Sequence, residues 1–217
     1  FNKKRARQGL PPVEPIYNQE DAENCMDLFI GVAYNRRFYI DDKINVKFTN
    51  NGHLLGSSVV NLEINENGKK IHIAYTGDIG RPSNYILRLP DPFPQCDYLI
   101  AESTYGNRLH PEVEQSEIEF LEIVKETCIE KKGKLIIPAF SIGRTQELVF
   151  LLNKFYNQHL LPHIEVFVDS PLSVNATEIY RMYSDSLNKN VKEILKYDND
   201  PFGFNSLHYI KNVEESK

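Results

Sequence analysis

The sequence has few cysteines, no excess of positive charge and no long apolar run, and each shortage removes a class of protein. Cys25, Cys96 and Cys128 stand far apart and are odd in number, so they make no disulfide framework. They indicate a reducing, cytoplasmic setting. The formal net charge of -5 excludes a chain coated in basic charge for nucleic acid, while a local basic groove stays open. No apolar run reaches transmembrane length, which argues against a membrane partner, and no signal peptide is visible. Internal repeats and low-complexity tracts are lacking too. What is there is ordinary for a soluble globular chain: 217 residues, 41% hydrophobic and 25% charged. That length suffices for one large domain, or for one domain plus part of another. The chain opens on Phe1 and a polar segment, and so reads as an excised piece.

Residues 1–15 are basic, then proline-rich, and read as irregular, with Lys3-Lys4-Arg5-Ala6-Arg7 as a solvated segment rather than a phosphate-binding patch. Asn18 or Asp21 can cap a short helix to about Phe29, with Ala22, Cys25, Met26 and Phe29 on one face. The period then changes to two, and strands are expected over 31–40, 44–49, 57–64 and 70–75. Asn67-Gly68, between the last two, is a strong hairpin signal. His72 falls on the wetter face of its strand and reads as structural or exposed. A proline-rich surface loop is expected over 81–97, then a short buried strand over 97–102. Pro111 opens a long helix to about Lys132, with Ile118, Leu121, Val124 or Lys125, and Cys128 inward. Beyond Gly133 the order becomes strand (135–137), helix (145–157), strand (165–168), helix (175–183), with a further helix over 191–197. That alternation predicts helices packed on a parallel sheet. A domain change is expected near Leu109 to Pro111, dividing the chain into 1–109 and 110–217.

Three glycine-flanked words follow strand-like runs in the middle of the chain. In the first, His53 sits where a strand ends, between Gly52 and Gly56, where a loop can bring its backbone close to a ligand. Neutral imidazole is a common zinc ligand. In the second, Asp78 follows Thr76-Gly77, and a carboxylate there can bridge two metal ions through its two oxygens. Each word alone is better read as an ordinary turn; loops at the same sheet edge would bring the two side chains together. Glu102 closes a third strand, and a carboxylate there more usefully orients a histidine than binds metal. Arg108, close behind, can pair with phosphate or a local carboxylate.

The ordered set of words resembles the metallo-β-lactamase-fold nucleases with a β-CASP cassette, the group that includes ribonuclease J and the endonuclease of messenger-RNA 3′-end processing. Gly52-His53-Leu54-Leu55-Gly56-Ser57 resembles that family's third metal motif, Thr76-Gly77-Asp78 its fourth, and Glu102-Ser103-Thr104-Tyr105-Gly106 the acidic motif opening the cassette. The run from Ile137 to Leu148, and Val168-Asp169-Ser170-Pro171-Leu172 with Ala176-Thr177, resemble later cassette segments. The resemblance implies an α/β fold: part of a metallo-β-lactamase αββα domain, then part of a β-CASP domain with helices on a parallel sheet. It implies zinc as cofactor, two ions in the intact enzyme, with His53 and Asp78 as metal ligands and Glu102 as the catalytic carboxylate that orients a histidine. It implies RNA, or single-stranded DNA, as the substrate hydrolysed by metal-activated water, with Ser141, Arg144 and Arg108 on the nucleic-acid side. For Arg144, pairing with a nearby carboxylate stands as an equal alternative.

The family's His-x-His-x-Asp-His motif does not occur in these residues, and neither do its late histidine motifs. His110, just after the acidic motif, reads as a helix-cap or surface residue ahead of one that approaches the site; His159, His163 and His208 are scattered. With two ligands, zinc binding by the 217 residues is expected to be weak or absent, and hydrolysis absent. The competing class is a non-catalytic relative serving as an RNA-binding or scaffold subunit; a third reading keeps the metal and changes the substrate to a small ester or thioester. Oligomeric state is left open.

Overall fold

The computed structural model describes residues 2–109, 113–161, 163–212 and 214–216. The chain divides into two compact units, 1–33 and 34–217.

The first unit holds two short helices, α1 (Asn2–Arg7) and α2 (Gln19–Met26). The expectation of irregular structure up to residue 15 is corrected by α1. Its lysines, arginines and alanine are good helix formers, and Asn2 pins it by exchanging two hydrogen bonds with the backbone of Val13, at 2.9 and 3.0 Å. The Asn18 cap holds: Asn18 Oδ1 accepts the Asp21 N–H at 3.0 Å, and the Asp21 carboxylate accepts the Asn18 N–H at 2.8 Å. The expected inner face of α2, with Cys25, Met26 and Phe29, is exposed.

The second unit opens with a five-stranded sheet in sequence order: β1 (Arg37–Tyr39), β2 (Ile44–Asn50), β3 (Ser58–Glu66), β4 (Lys69–Tyr75) and β5 (Tyr98–Ile100). Neighbours are antiparallel except β4 and β5, which run parallel. The β3–β4 hairpin turns through Asn67 (φ 52°) and Gly68 (φ 80°), the pair of positive angles a tight two-residue turn needs. Alternation sorts the two faces. Val46, Leu62, Ile73 and Tyr98 stand side by side, as do Phe48, Val60, Tyr75 and Ile100, so one face is apolar. The other carries Asn45, Glu63 and His72 in one row and Lys47, Asn61 and Ala74 in the next.

Then come α3 (Val113–Val124), continued as a π-helical turn to Glu130, α4 (Arg144–Asn157), β6 (Val166–Asp169), α5 (Pro171–Met182), α6 (Lys189–Ile194) and β7 (Leu207–Ile210). His110 and Pro111 lie outside the described residues. Strands β6 and β7 pair in parallel, as the strand–helix alternation requires. The buried core centres on α4. Val149 and Phe150 join Ile86, Leu87, Val168, Tyr180 and Phe202 on one side; Leu151, Leu152 and Phe155 join Val124 and Leu161 on the other. No helix among the described residues is long and apolar enough to cross a membrane.

Four expectations are corrected here. The segment 81–97 is irregular but is no mere surface loop. Asn84 Oδ1 folds it by accepting the N–H groups of Ile86 and Leu87, and Asn188 Nδ2 grips the carbonyls of Asn84 and Tyr85. Ile86, 0% exposed, therefore sits in the core. Strand β5 is exposed rather than buried, with Tyr98 at 63% and Ile100 at 57%. The apolar run 135–137 forms no strand, and Ile136 is 85% exposed. Ile118 is also exposed, whereas Val124 is buried as expected.

Candidate functional site

The first word leaves the end of β2. Asn50 donates to the Leu89 carbonyl at 2.7 Å, and its Oδ1 accepts the Gly52 N–H at 3.1 Å, turning the chain sharply. Gly52 has φ +71°, and a Cβ there would fall 2.8 Å from Pro90. Ser57 closes the turn, its Oγ accepting the Leu54 N–H at 2.9 Å. His53 is thereby presented to solvent.

The second word leaves the end of β4, two strands away and on the same edge of the sheet. Thr76 donates its N–H to the Ile100 carbonyl at 3.0 Å, so β4 and β5 stay joined to their ends. Gly80 packs against the first word so closely that a Cβ would lie 2.1 Å from the Gly52 backbone. The consequence is geometric: His53 Nε2 stands 3.6 Å from Asp78 Oδ2.

The third word meets the second. Glu102 Oε1 accepts the Ile79 N–H at 2.6 Å. The Ile79 N–H, then Thr104 and more weakly the His53 charge, hold the Glu102 carboxyl below its ordinary range. Glu102 thus stays anionic at neutral pH, suited to accepting an imidazole N–H rather than to donating a proton. Sequence reasoning therefore named three residues that the fold brings to one edge.

The other candidates are placed differently. Arg108 lies over the Tyr105 ring, 4.5 Å from its centre. Arg144 pairs with Glu147 at 2.6 Å, the carboxylate alternative for that residue. Ser141 Oγ meets Ser170 Oγ at 3.0 Å, linking the two cassette-like segments. The 141–144 turn borders the His53 word: a Cβ on Gly143 would touch the Leu54 side chain at 2.7 Å.

Two polar residues went unnoticed in the sequence. Asn51 ties the first two words together, and buried Gln146 ties the 141–143 turn to α5 through Ser141, Ser173 and Thr177. The signal for Asn51 was present: an amide beside the glycine at a strand end. Gln146 left none, since a glutamine inside an amphipathic helix reads as outward.

Zinc takes imidazole nitrogen and carboxylate oxygen at about 2.0–2.2 Å, so two such donors on one tetrahedral ion stand about 3.4 Å apart. The observed 3.6 Å between His53 and Asp78 fits one side of such an ion. Among the described residues, no group of three or more His, Cys, Asp or Glu is placed to hold a metal.

Comparison with known proteins places the chain in a family. The Beta-Casp domain family matches residues 145–217. An RNase J-like protein of Methanocaldococcus jannaschii is 36% identical over 203 residues, 92% of this chain and 46% of the relative. The chain belongs to the β-CASP family of metallo-β-lactamase-fold nucleases. Two other relatives of the β-CASP chain are transcription termination factor FttA of Methanococcus maripaludis, 35% identical over 208 residues, and endoribonuclease ysh1 of Schizosaccharomyces pombe, 29% identical over 206. Each is covered over 93% of this chain, but the chain covers 32% and 26% of them. It spans less than half the length of these curated relatives.

Proposed function

We propose that these residues supply part of the active site of a zinc-dependent ribonuclease that cleaves RNA, with single-stranded DNA as a second substrate. The observation that carries this is the 3.6 Å approach of His53 Nε2 to Asp78 Oδ2, delivered by two separate strand ends. His53 and Asp78 would hold the metal, each supplying one donor. Zinc supplies a Lewis acid for the phosphodiester and a water of lowered pKa. Glu102 orients a histidine from outside these residues, the role its anionic state suits. Ser141, Arg144 and Arg108 contact the nucleic acid. Arg144 spends one donor on Glu147, and a guanidinium carries five. We assign 1–109 to the metallo-β-lactamase portion and 110–217 to the β-CASP portion, and place the protein in the cytoplasm, where its three separated thiols stay reduced.

The test is the zinc content of the full-length natural protein and its turnover of a labelled single-stranded RNA, with and without His53→Ala. Zinc and turnover are expected in the natural protein, and a loss of more than about a hundredfold in the variant. The 217 residues alone are expected to leave RNA intact, because two ligands fall short of the three a zinc site needs. Full-length protein without zinc or turnover would sink the proposal. Zinc-dependent cleavage by the 217 residues would sink only its last part.

A further inference from the structure

The strand ends that carry His53 and Asp78 are fastened to each other by a side chain that is neither ligand nor exposed. Asn51 is 2% exposed, and its amide spends all four of its hydrogen-bonding positions. Nδ2 donates to the Thr76 carbonyl at 3.0 Å and to the Asp78 carbonyl at 2.8 Å. Oδ1 accepts the His53 backbone N–H at 3.2 Å and the Ser57 hydroxyl. Its own carbonyl accepts the Gly80 N–H at 2.8 Å. One amide therefore grips the backbone of both candidate ligands at once. The ligand side chains are 42% and 74% exposed and meet across a 3.6 Å gap, so their spacing is inherited from the backbones Asn51 joins.

We infer that Asn51 is a positioning residue whose side-chain amide sets the separation of His53 and Asp78 and so the affinity of the site for zinc. The inference rests on the reading of His53 and Asp78 as metal ligands. Its physical core is that the job needs two donors and an acceptor on one planar group. Aspartate has the same shape, but both of its oxygens accept. In place of Nδ2 it would set a carboxylate oxygen against two carbonyl oxygens and push the two words apart. The same substitution adds a negative charge near the metal position, which by charge alone would tighten cation binding. Geometry and charge thus predict opposite signs.

The experiment measures zinc affinity by chelator competition, together with melting temperature and kcat and KM for single-stranded RNA, in the full-length natural protein. Its variants are Asn51→Asp, Ser57→Ala and His53→Ala. Asn51→Asp is expected to weaken zinc binding about 10–100-fold and to lower kcat in step, with KM within about twofold of wild type. Ser57→Ala, which removes one of the four contacts, is expected to weaken it about threefold. A lower melting temperature with zinc affinity and kcat unchanged in the folded protein would mean a merely structural role and overturn the inference. Tighter zinc binding in Asn51→Asp would overturn it as well. Should Asn51→Asp not fold, unchanged affinity in folded Ser57→Ala overturns it alone. If His53→Ala binds zinc as wild type does, the ligand reading has failed and takes the inference with it. If His53→Ala loses zinc while the other two keep it, only the inference about Asn51 fails.

Discussion

Glu63 lies in the middle of β3 on the polar sheet face, ringed by donors. Lys70 Nζ lies 3.0 Å from Oε1 and Asn45 Nδ2 3.2 Å, while His72 Nε2 lies 3.4 Å and Arg37 3.8 Å from Oε2. The Lys70 hydrogen bond first and that of Asn45 second hold its carboxyl down from 4.5 to about 2. A folded pKa below the unfolded one means stability that is fully present above the unfolded value and lost as pH falls toward the folded one. The chain is therefore expected to lose stability between about pH 5 and pH 2, and Glu63→Gln to flatten that slope. Asp97, lowered by the His72 backbone N–H, leaves a residual slope in the same window. Urea midpoints measured across this range check it; an unchanged slope in the variant would place the titration elsewhere. Alternation along β4 had already set His72 on this face, and it pairs with Glu63 and Asp97 as a structural histidine should. The alternation says nothing of Asn51, whose partners at Thr76 and Asp78 are 25 and 27 positions away.

At the scale of elements, local chemistry was legible and pairing was not. The Asn18 cap, the Asn67-Gly68 turn and the α4 helix need only near neighbours, and all three lie where the residues indicated. The run at 135–137 has the composition of a buried strand, yet burial is a property of partners, and it has none in a sheet. Segment 81–97 erred the opposite way: its prolines signal a loop, and only Asn188, a hundred residues on, shows that the loop is clamped into the core. Gln146 is the sharpest case. It is 0% exposed; Nε2 reaches the Ser141 carbonyl and Thr177 Oγ1 at 3.1 Å each, and Oε1 takes the Gly143 N–H at 2.7 Å. Gln146→Leu keeps the volume and orphans these groups in a dry interior. The expected loss is about 2–4 kcal/mol of unfolding free energy by urea titration, against about 0.5 kcal/mol or less for a surface change such as Lys189→Gln. A variant as stable as wild type would mean that water reaches the turn.

For the whole molecule, the contrast is between a closed core and an open sheet. Among the described residues, the two buried clusters around α4 are sealed, each member at or below 9% exposure. The apolar sheet face is not: Tyr75, Tyr98 and Ile100 are exposed in adjoining positions, beside half-buried Phe48, Val60, Leu62 and Ile73. An antiparallel sheet normally turns its apolar face inward, and a contiguous patch of this kind is rare on a soluble monomer. Strand β5 adds an open edge reading Tyr-Leu-Ile, with no charge or proline to blunt pairing. The 217 residues alone are therefore expected to bind a hydrophobic dye under native conditions and to sediment as larger species when concentrated. Tyr98→Thr with Ile100→Thr should lower dye binding and self-association together. The melting temperature should stay within about 2 °C, since neither side chain is buried and surface changes cost little. Fluorescence titration and sedimentation velocity on the two proteins decide it. If the double variant melts much earlier while the dye signal is unchanged, those side chains are packed in solution, and the open face is not where the molecule exposes its apolar surface.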